Sequence, residues 1–126
     1  MIAHITLPVR DVNRAVEFFE ATLRWTNIQR PSNVPVPTKW LSIGPGQELH
    51  LVEVENFEPS PYDREFGRHI AVEQPVEEFD ALKKRLTSHG ATLIDPLRPT
   101  PFLRFFFQDP NGHVFEVVAR EREVEG

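Results

Sequence analysis

The chain repeats itself, and the repeat limits the folds open to it. The run Ala3-His4-Ile5-Thr6 returns 65 residues later as Arg68-His69-Ile70-Ala71. Each copy closes on a second apolar run, Leu49-His50-Leu51-Val52 in the first half and Val114-Phe115-Glu116-Val117 in the second. His50 follows His4 by 46 residues, and Glu116 follows His69 by 47. A chain that repeats its pattern must use one element order twice. With an imidazole or carboxylate on the first and last apolar run of each unit, the pattern suggests a metal site.

The elements follow from periodicity. Ile5, Leu7 and Val9 alternate with His4, Thr6 and Pro8, as on a half-buried strand. Asp11 is placed to cap a helix near 12–24 whose apolar stripe is Val12, Ala15, Val16, Phe19 and Leu23. A proline-rich connection follows. Lys39 to Ile43 and Glu48 to Val54 then read as strands around the Gly44-Pro45-Gly46 turn. The second half repeats this order. His69 to Glu73 is a strand, and Pro75 is suited to open a helix near 76–88 that Gly90 stops. Thr92 to Ile94 is a short strand. Leu103 to Gln108 and His113 to Ala119 form a hairpin through Asp109-Pro110-Asn111-Gly112. Residues 56–66 read as a linker and Arg120 to Gly126 as a fraying tail. Nine of the 12 prolines cluster at Pro31, Pro35, Pro37 and Pro45, at Pro59 and Pro61, and at Pro96, Pro99 and Pro101, and these clusters mark connections. The expected fold is α+β: a single domain, 1–126, of two modules at about 1–56 and 66–120.

Strand parity puts His4, His50, His69 and Glu116 on the face opposite the helix-covered aliphatics of each unit. Neutral imidazoles with one carboxylate suit zinc, iron, manganese, nickel or cobalt and leave positions free for a substrate oxygen. His4, His69, Glu116 and His50 are thus the candidate metal ligands. His50 remains either a fourth ligand or an acid–base residue, which makes His50 and Glu116 the candidate catalytic pair. Arg104 and Phe106 share a strand face expected to line a pocket. There Arg104 either holds a substrate anion or runs out to solvent. His89, near a helix C-terminus, and His113, of the wrong parity, are read as structural.

A formal net charge of −5 without a basic cluster argues against nucleic acid as partner. The absence of cysteine removes disulfides and thiolate chemistry. No apolar run is long enough to span a membrane and no N-terminal signal pattern is present, which fits a cytoplasmic protein. Each module leaves one face open, and symmetric pairing into a homodimer is the expected way to cover it.

The strand His4-Ile5-Thr6-Leu7, Asp11 with its amphipathic helix, Gly67-Arg68-His69-Ile70-Ala71, and above all the run from Phe106 to Val117 around Asp109-Pro110-Asn111-Gly112 resemble the vicinal oxygen chelate superfamily. Its members include glyoxalase I, fosfomycin-resistance proteins, extradiol dioxygenases and bleomycin-resistance proteins. The resemblance covers about 3–119 and implies two βαβββ modules with a divalent metal on the concave face. It also implies dimers that often build each site from both subunits. His4, His69 and Glu116 fall on the family's ligand positions. His50 stands where glyoxalase I carries a glutamate. Thr6 matches a substrate-contacting threonine of fosfomycin-resistance enzymes, and Trp40 matches a pocket tryptophan. Phe106 replaces a functional tyrosine there, and Arg104 replaces a small hydroxyl residue. Arg24-Trp25 stands where Leu-Gly ends the first helix in many members. The implied activity is that of a metal-dependent enzyme on a small substrate chelating the metal through oxygen. The alternative is a metal-free, bleomycin-resistance-like protein that binds a planar ligand against Trp40, Phe102 and Phe106.

Overall fold

The computed structural model describes residues 1–29 and 33–120, and the expected tail after Arg120 lies outside them. Asp11 begins the first helix as expected. Its carboxylate accepts the Arg14 N–H at 3.1 Å, which satisfies one of the four free donors of the first turn. The elements run β1 (His4–Val9), α1 (Val12–Thr22), β2 (Thr26–Ile28), β3 (Thr38–Gly44), β4 (Gln47–Glu53), β5 (Ile70–Pro75), a 3-10 turn (Val76–Glu78), α2 (Phe79–Ser88), β6 (Thr92–Ile94), β7 (Arg104–Gln108) and β8 (Val114–Arg120). They form two four-stranded sheets of the same order, β1-β4-β3-β2 and β5-β8-β7-β6. In each sheet the first and last strands of the module run parallel and the remaining pairs are antiparallel. This is the βαβββ module, made twice.

The chain divides into two compact units at Phe57/Glu58. In the first, Leu49 and Leu51 of β4 and Leu41 of β3 are buried, as are Val12, Ala15, Val16 and Phe19 of α1. In the second, the buried set is Phe105 and Phe107 of β7, Phe115 and Val117 of β8, and Phe79, Leu82 and Leu86 of α2. Phe107 and Phe115 stack at 5.0 Å, and Phe79 meets Phe105 edge-on at 5.1 Å. Each ring pair adds about 1 kcal/mol beyond its buried area.

Several expectations are corrected. β2 lies in the stretch read as a proline-rich connection; three residues are too few to show a period, and pairing with Trp40, Leu41 and Ser42 of β3 defines them. Pro75 opens a 3-10 helix as its N-cap, not the α-helix itself. It is the last residue of β5, and Val76–Glu78 make a 3-10 turn before α2 begins. His69 stands one residue ahead of β5 rather than within it. Residues 58–66 belong to the second unit, where a chain reversal closes through Arg68 N–H on the Tyr62 carbonyl at 2.7 Å. Gly67 is needed in that reversal because a Cβ there would collide with the Tyr62 carbonyl.

Arg24 ends the first helix in the left-handed conformation, at φ 60°. A Cβ makes that conformation costly by about 1–2 kcal/mol, and glycine is the residue usually found there. Arg24→Gly is therefore expected to stabilise the protein by about 1 kcal/mol, part of the relief being offset by glycine's greater unfolded-state entropy. A higher urea midpoint at unchanged slope would show it; a lower midpoint would mean that the arginine side chain contributes more than the strain costs.

Candidate functional site

The register shows how closely the two units correspond. In the first, Thr6 of β1 lies beside His50 of β4, which lies beside Trp40 of β3. In the second, Ala71 of β5 lies beside Glu116 of β8, which lies beside Phe106 of β7. His50 and Glu116 thus hold one position of the module, and Trp40 and Phe106 another.

On the first unit the polar face is an aromatic stack. The His4 and His50 rings lie 4.1 Å apart and nearly parallel, and Trp40 stacks on His50 at 4.9 Å. His50 Nε2 sits 2.8 Å from Glu48 Oε1. A carboxylate can only accept, so Nε2 carries the proton and Nδ1 keeps the lone pair. Glu48 was not among the residues singled out from sequence. Its signal was present, since it lies two residues before His50 on the same face of β4.

On the second unit His69 Nε2 is 3.4 Å from Glu116 Oε1. The other ring nitrogen, Nδ1, is 3.2 Å from the Arg64 carbonyl, which as an acceptor fixes the proton on Nδ1. The His69 ring also meets Phe106 edge-on at 5.2 Å. Glu116 is nearly buried, and its second oxygen accepts Arg104 Nη1 at 2.9 Å. Arg104 does not run out to solvent, for its side chain is only 3% exposed. Its Nη2 donates to Glu65 Oε2 at 3.0 Å and to the Arg98 carbonyl at 2.6 Å, and its guanidinium lies over the Phe106 ring at 5.2 Å. Arg104 Nε is buried and has no acceptor among the described residues. Burial opposes the Arg104 charge, but its hydrogen bonds to Glu116 and Glu65 and the charges of those carboxylates outweigh it and hold the guanidinium pKa above its ordinary value.

His4 and His50 thus meet within the first unit, and His69 and Glu116 within the second, with Arg104 and Phe106 beside the latter pair. No group of three or more His, Asp or Glu placed to hold one ion occurs among the described residues. Thr6 adjoins His50 across the β1–β4 pair. Phe102 lines a shallow concavity of the second unit with Glu73, Val118, Ala119 and Arg120. His89 caps α2, its Nδ1 2.8 Å from the Arg85 carbonyl. His113 is buried beside the hairpin turn, where its N–H donates to Asp109 at 2.8 Å. Both match their structural reading.

The donor chemistry of the second unit fits a divalent ion. Two ligands at about 2.1 Å from a tetrahedral centre are about 3.4 Å apart, the separation of His69 Nε2 and Glu116 Oε1. With Nδ1 held by the Arg64 carbonyl, Nε2 is the nitrogen that would turn to a metal ion beside Glu116, the usual arrangement of a ligating histidine.

The family profile described as Glyoxalase/Bleomycin resistance protein/Dioxygenase superfamily matches residues 1–117. The chain belongs to this superfamily. Among solved structures, it resembles the fosfomycin resistance protein FosX from Listeria monocytogenes, with 25% identity, a TM-score of 0.75, and coverage of 99% of this chain and 94% of that one. A glutamate-to-glutamine variant of that protein, complexed with Mn(II) and 1S,2S-dihydroxypropylphosphonic acid, matches with 25% identity, a TM-score of 0.78, and 98% and 94% coverage. A glyoxalase/bleomycin resistance protein/dioxygenase domain from Frankia sp. EAN1pec shares the fold at 20% identity and a TM-score of 0.77, with 96% and 98% coverage. No curated protein matches closely enough to carry an argument. No helix of the described residues is long and apolar enough to cross a membrane.

Glu65 makes a pH prediction. Burial pushes its carboxyl pKa up, but hydrogen bonds from the Leu97 and Arg98 N–H groups and from Arg104 outweigh this and hold it below its ordinary value of 4.5. A carboxyl lowered by folding stabilises the fold above its unfolded pKa and loses that contribution as pH falls through the lowered value. Glu65→Gln is expected to flatten the acid limb of the stability curve below about pH 4.5. Urea midpoints measured from pH 3 to 7 check this; parallel curves for the two proteins would contradict it.

Proposed function

We propose that this chain is a metal-dependent enzyme of the vicinal oxygen chelate type, acting on a small substrate that meets a divalent ion through its oxygen atoms. The observation that carries the reading is the His69–Glu116 pair, two donors at ligand spacing with the other imidazole nitrogen held by the Arg64 carbonyl. The proposed ligands are His4, His69 and Glu116, in a homodimer. Mn(II) is the first ion to test, because the FosX structure that this chain resembles holds it. When bound, the ion would act as a Lewis acid on a substrate oxygen.

The remaining chemistry belongs to the chain's own side chains. Arg104 draws one oxygen of Glu116 aside and leaves the other facing His69. Glu48 holds the proton of His50 at Nε2, so that Nδ1 accepts a proton from substrate or water and returns it later. The stacked Trp40 and His4 rings keep that imidazole from turning. This favours the acid–base role of His50 over that of a fourth ligand. Arg104, already shared by two carboxylates and a carbonyl, acts on Glu116 rather than on a substrate anion. Phe106 forms apolar wall beside His69. Thr6 and Trp40 line the same face as His50.

Calorimetric titration with Mn(II) tests the reading. Glu116→Gln removes the one anionic ligand and should weaken binding beyond the about 10–100-fold typical of outer-shell losses. His50→Ala should keep the metal and lose activity; fosfomycin is a reasonable first substrate to assay. A parent chain that takes up no divalent ion would point instead to a metal-free binding protein. Mixing His4→Ala with Glu116→Gln protein tests the assembly. If each site draws His4 from one protomer and Glu116 from its partner, the mixed dimer regains one intact site; if both come from one chain, nothing is regained.

A further inference from the structure

The reversal between Tyr62 and Arg68 lies outside every strand and helix, yet it touches the candidate ligands of the second unit in two ways. The Arg64 carbonyl holds His69 Nδ1 at 3.2 Å. The next residue, Glu65, holds Arg104 Nη2 at 3.0 Å, and Arg104 Nη1 holds Glu116 at 2.9 Å. We infer that the Arg64–Glu65 segment is the positioning element of the proposed metal site, with Glu65 a positioning residue that sets Glu116 through Arg104. The inference rests on the metal-binding reading above.

Three observations carry it. First, the reversal is fixed in shape. Arg68 N–H donates to the Tyr62 carbonyl at 2.7 Å, Arg64 N–H donates to the Arg68 carbonyl at 3.2 Å, and the Arg68 guanidinium meets Asp63 at 2.8 Å. Second, Glu65 is fully engaged. Its Oε1 accepts Leu97 N–H at 2.7 Å, and its Oε2 accepts Arg98 N–H at 3.0 Å besides Arg104. The same carboxylate therefore ties the segment before β7 to the segment before β5. Third, the charges are graded. Arg104 with Glu65 and Glu116 carries a net −1, whereas Arg104 with Glu116 alone would be neutral. Without the Glu65 charge the guanidinium is given wholly to Glu116, and that carboxylate becomes a poorer donor to a cation.

The test is Mn(II) calorimetry on chelator-stripped full-length protein, comparing the parent with Glu65→Gln, Glu65→Ala, Glu65→Asp and Glu116→Gln. The expected result is a loss of affinity of about 10-fold in Glu65→Gln and up to about 100-fold in Glu65→Ala, with partial recovery in Glu65→Asp, which keeps the charge. If folded Glu65→Gln and Glu65→Ala bind Mn(II) like the parent while Glu116→Gln does not, the positioning role is overturned and the metal site stands. If the parent itself binds no Mn(II), the metal reading falls. Should Glu65→Ala not fold, Glu65→Gln, of equal length and with one acceptor oxygen retained, carries the comparison. The histidine 15N spectrum of the metal-free parent needs no variant. Protonation of His69 at Nδ1 is expected, and an unprotonated Nδ1, with the proton on Nε2 alone, would overturn the hold of the Arg64 carbonyl.

Discussion

The structure depends on one pairing, made twice: the parallel contact between the first and last strands of a module. β1 runs beside β4 and β5 beside β8. A parallel pair cannot be joined by a tight turn, so the connection must cross over, and here a helix and two further strands fill it. That closure brings Thr6 beside His50 and Ala71 beside Glu116, residues far apart in the chain. Without it the polar side chains of a unit would be scattered along an open meander. With it, the strand that begins the module and the strand that ends it present their side chains to the same surface.

Arg104 shows why that surface can tolerate charge away from water. A buried guanidinium is costly unless its donors are met. Two carboxylates and a carbonyl take three hydrogen bonds from Nη1 and Nη2, and Nε is a nitrogen left without an acceptor among the described residues. A single Arg–Glu116 pair would have satisfied neither partner fully. The second carboxylate, from the reversal before β5, makes the cluster coherent and leaves it anionic.

The repeat was legible because the residues that define it are periodic. His4, His50, His69 and Glu116 sit in apolar runs whose alternation names the buried face, and the observed register follows that parity at His4, His50 and Glu116, His69 lying just ahead of β5. Asp11 and the Asp-Pro-Asn-Gly turn were legible because their chemistry is local. β2 was not, since three residues carry no period and its identity comes from pairing with β3. Pro75 was legible only as a helix start, whereas its fixed φ lets it both end β5 and cap the 3-10 helix that follows. Glu65 carried no signal in sequence, as its partners at Leu97, Arg98 and Arg104 lie more than thirty residues away. Glu48 was visible by parity but lacked a counterpart in the second half, where Val114 precedes Glu116 by two residues.

The parallel closing pairs also order the assembly of each unit in time. The β3–β4 and β7–β8 hairpins close through short turns, at Pro45-Gly46 and Pro110-Asn111-Gly112, and lose little chain entropy in doing so. Zipping β1 onto β4, or β5 onto β8, closes a loop of more than forty residues and has to wait for a surface on which to add. Strands β1 and β5 therefore arrive late. The ring of His4, which stays exposed in the finished unit, meets His50 only when β1 is added.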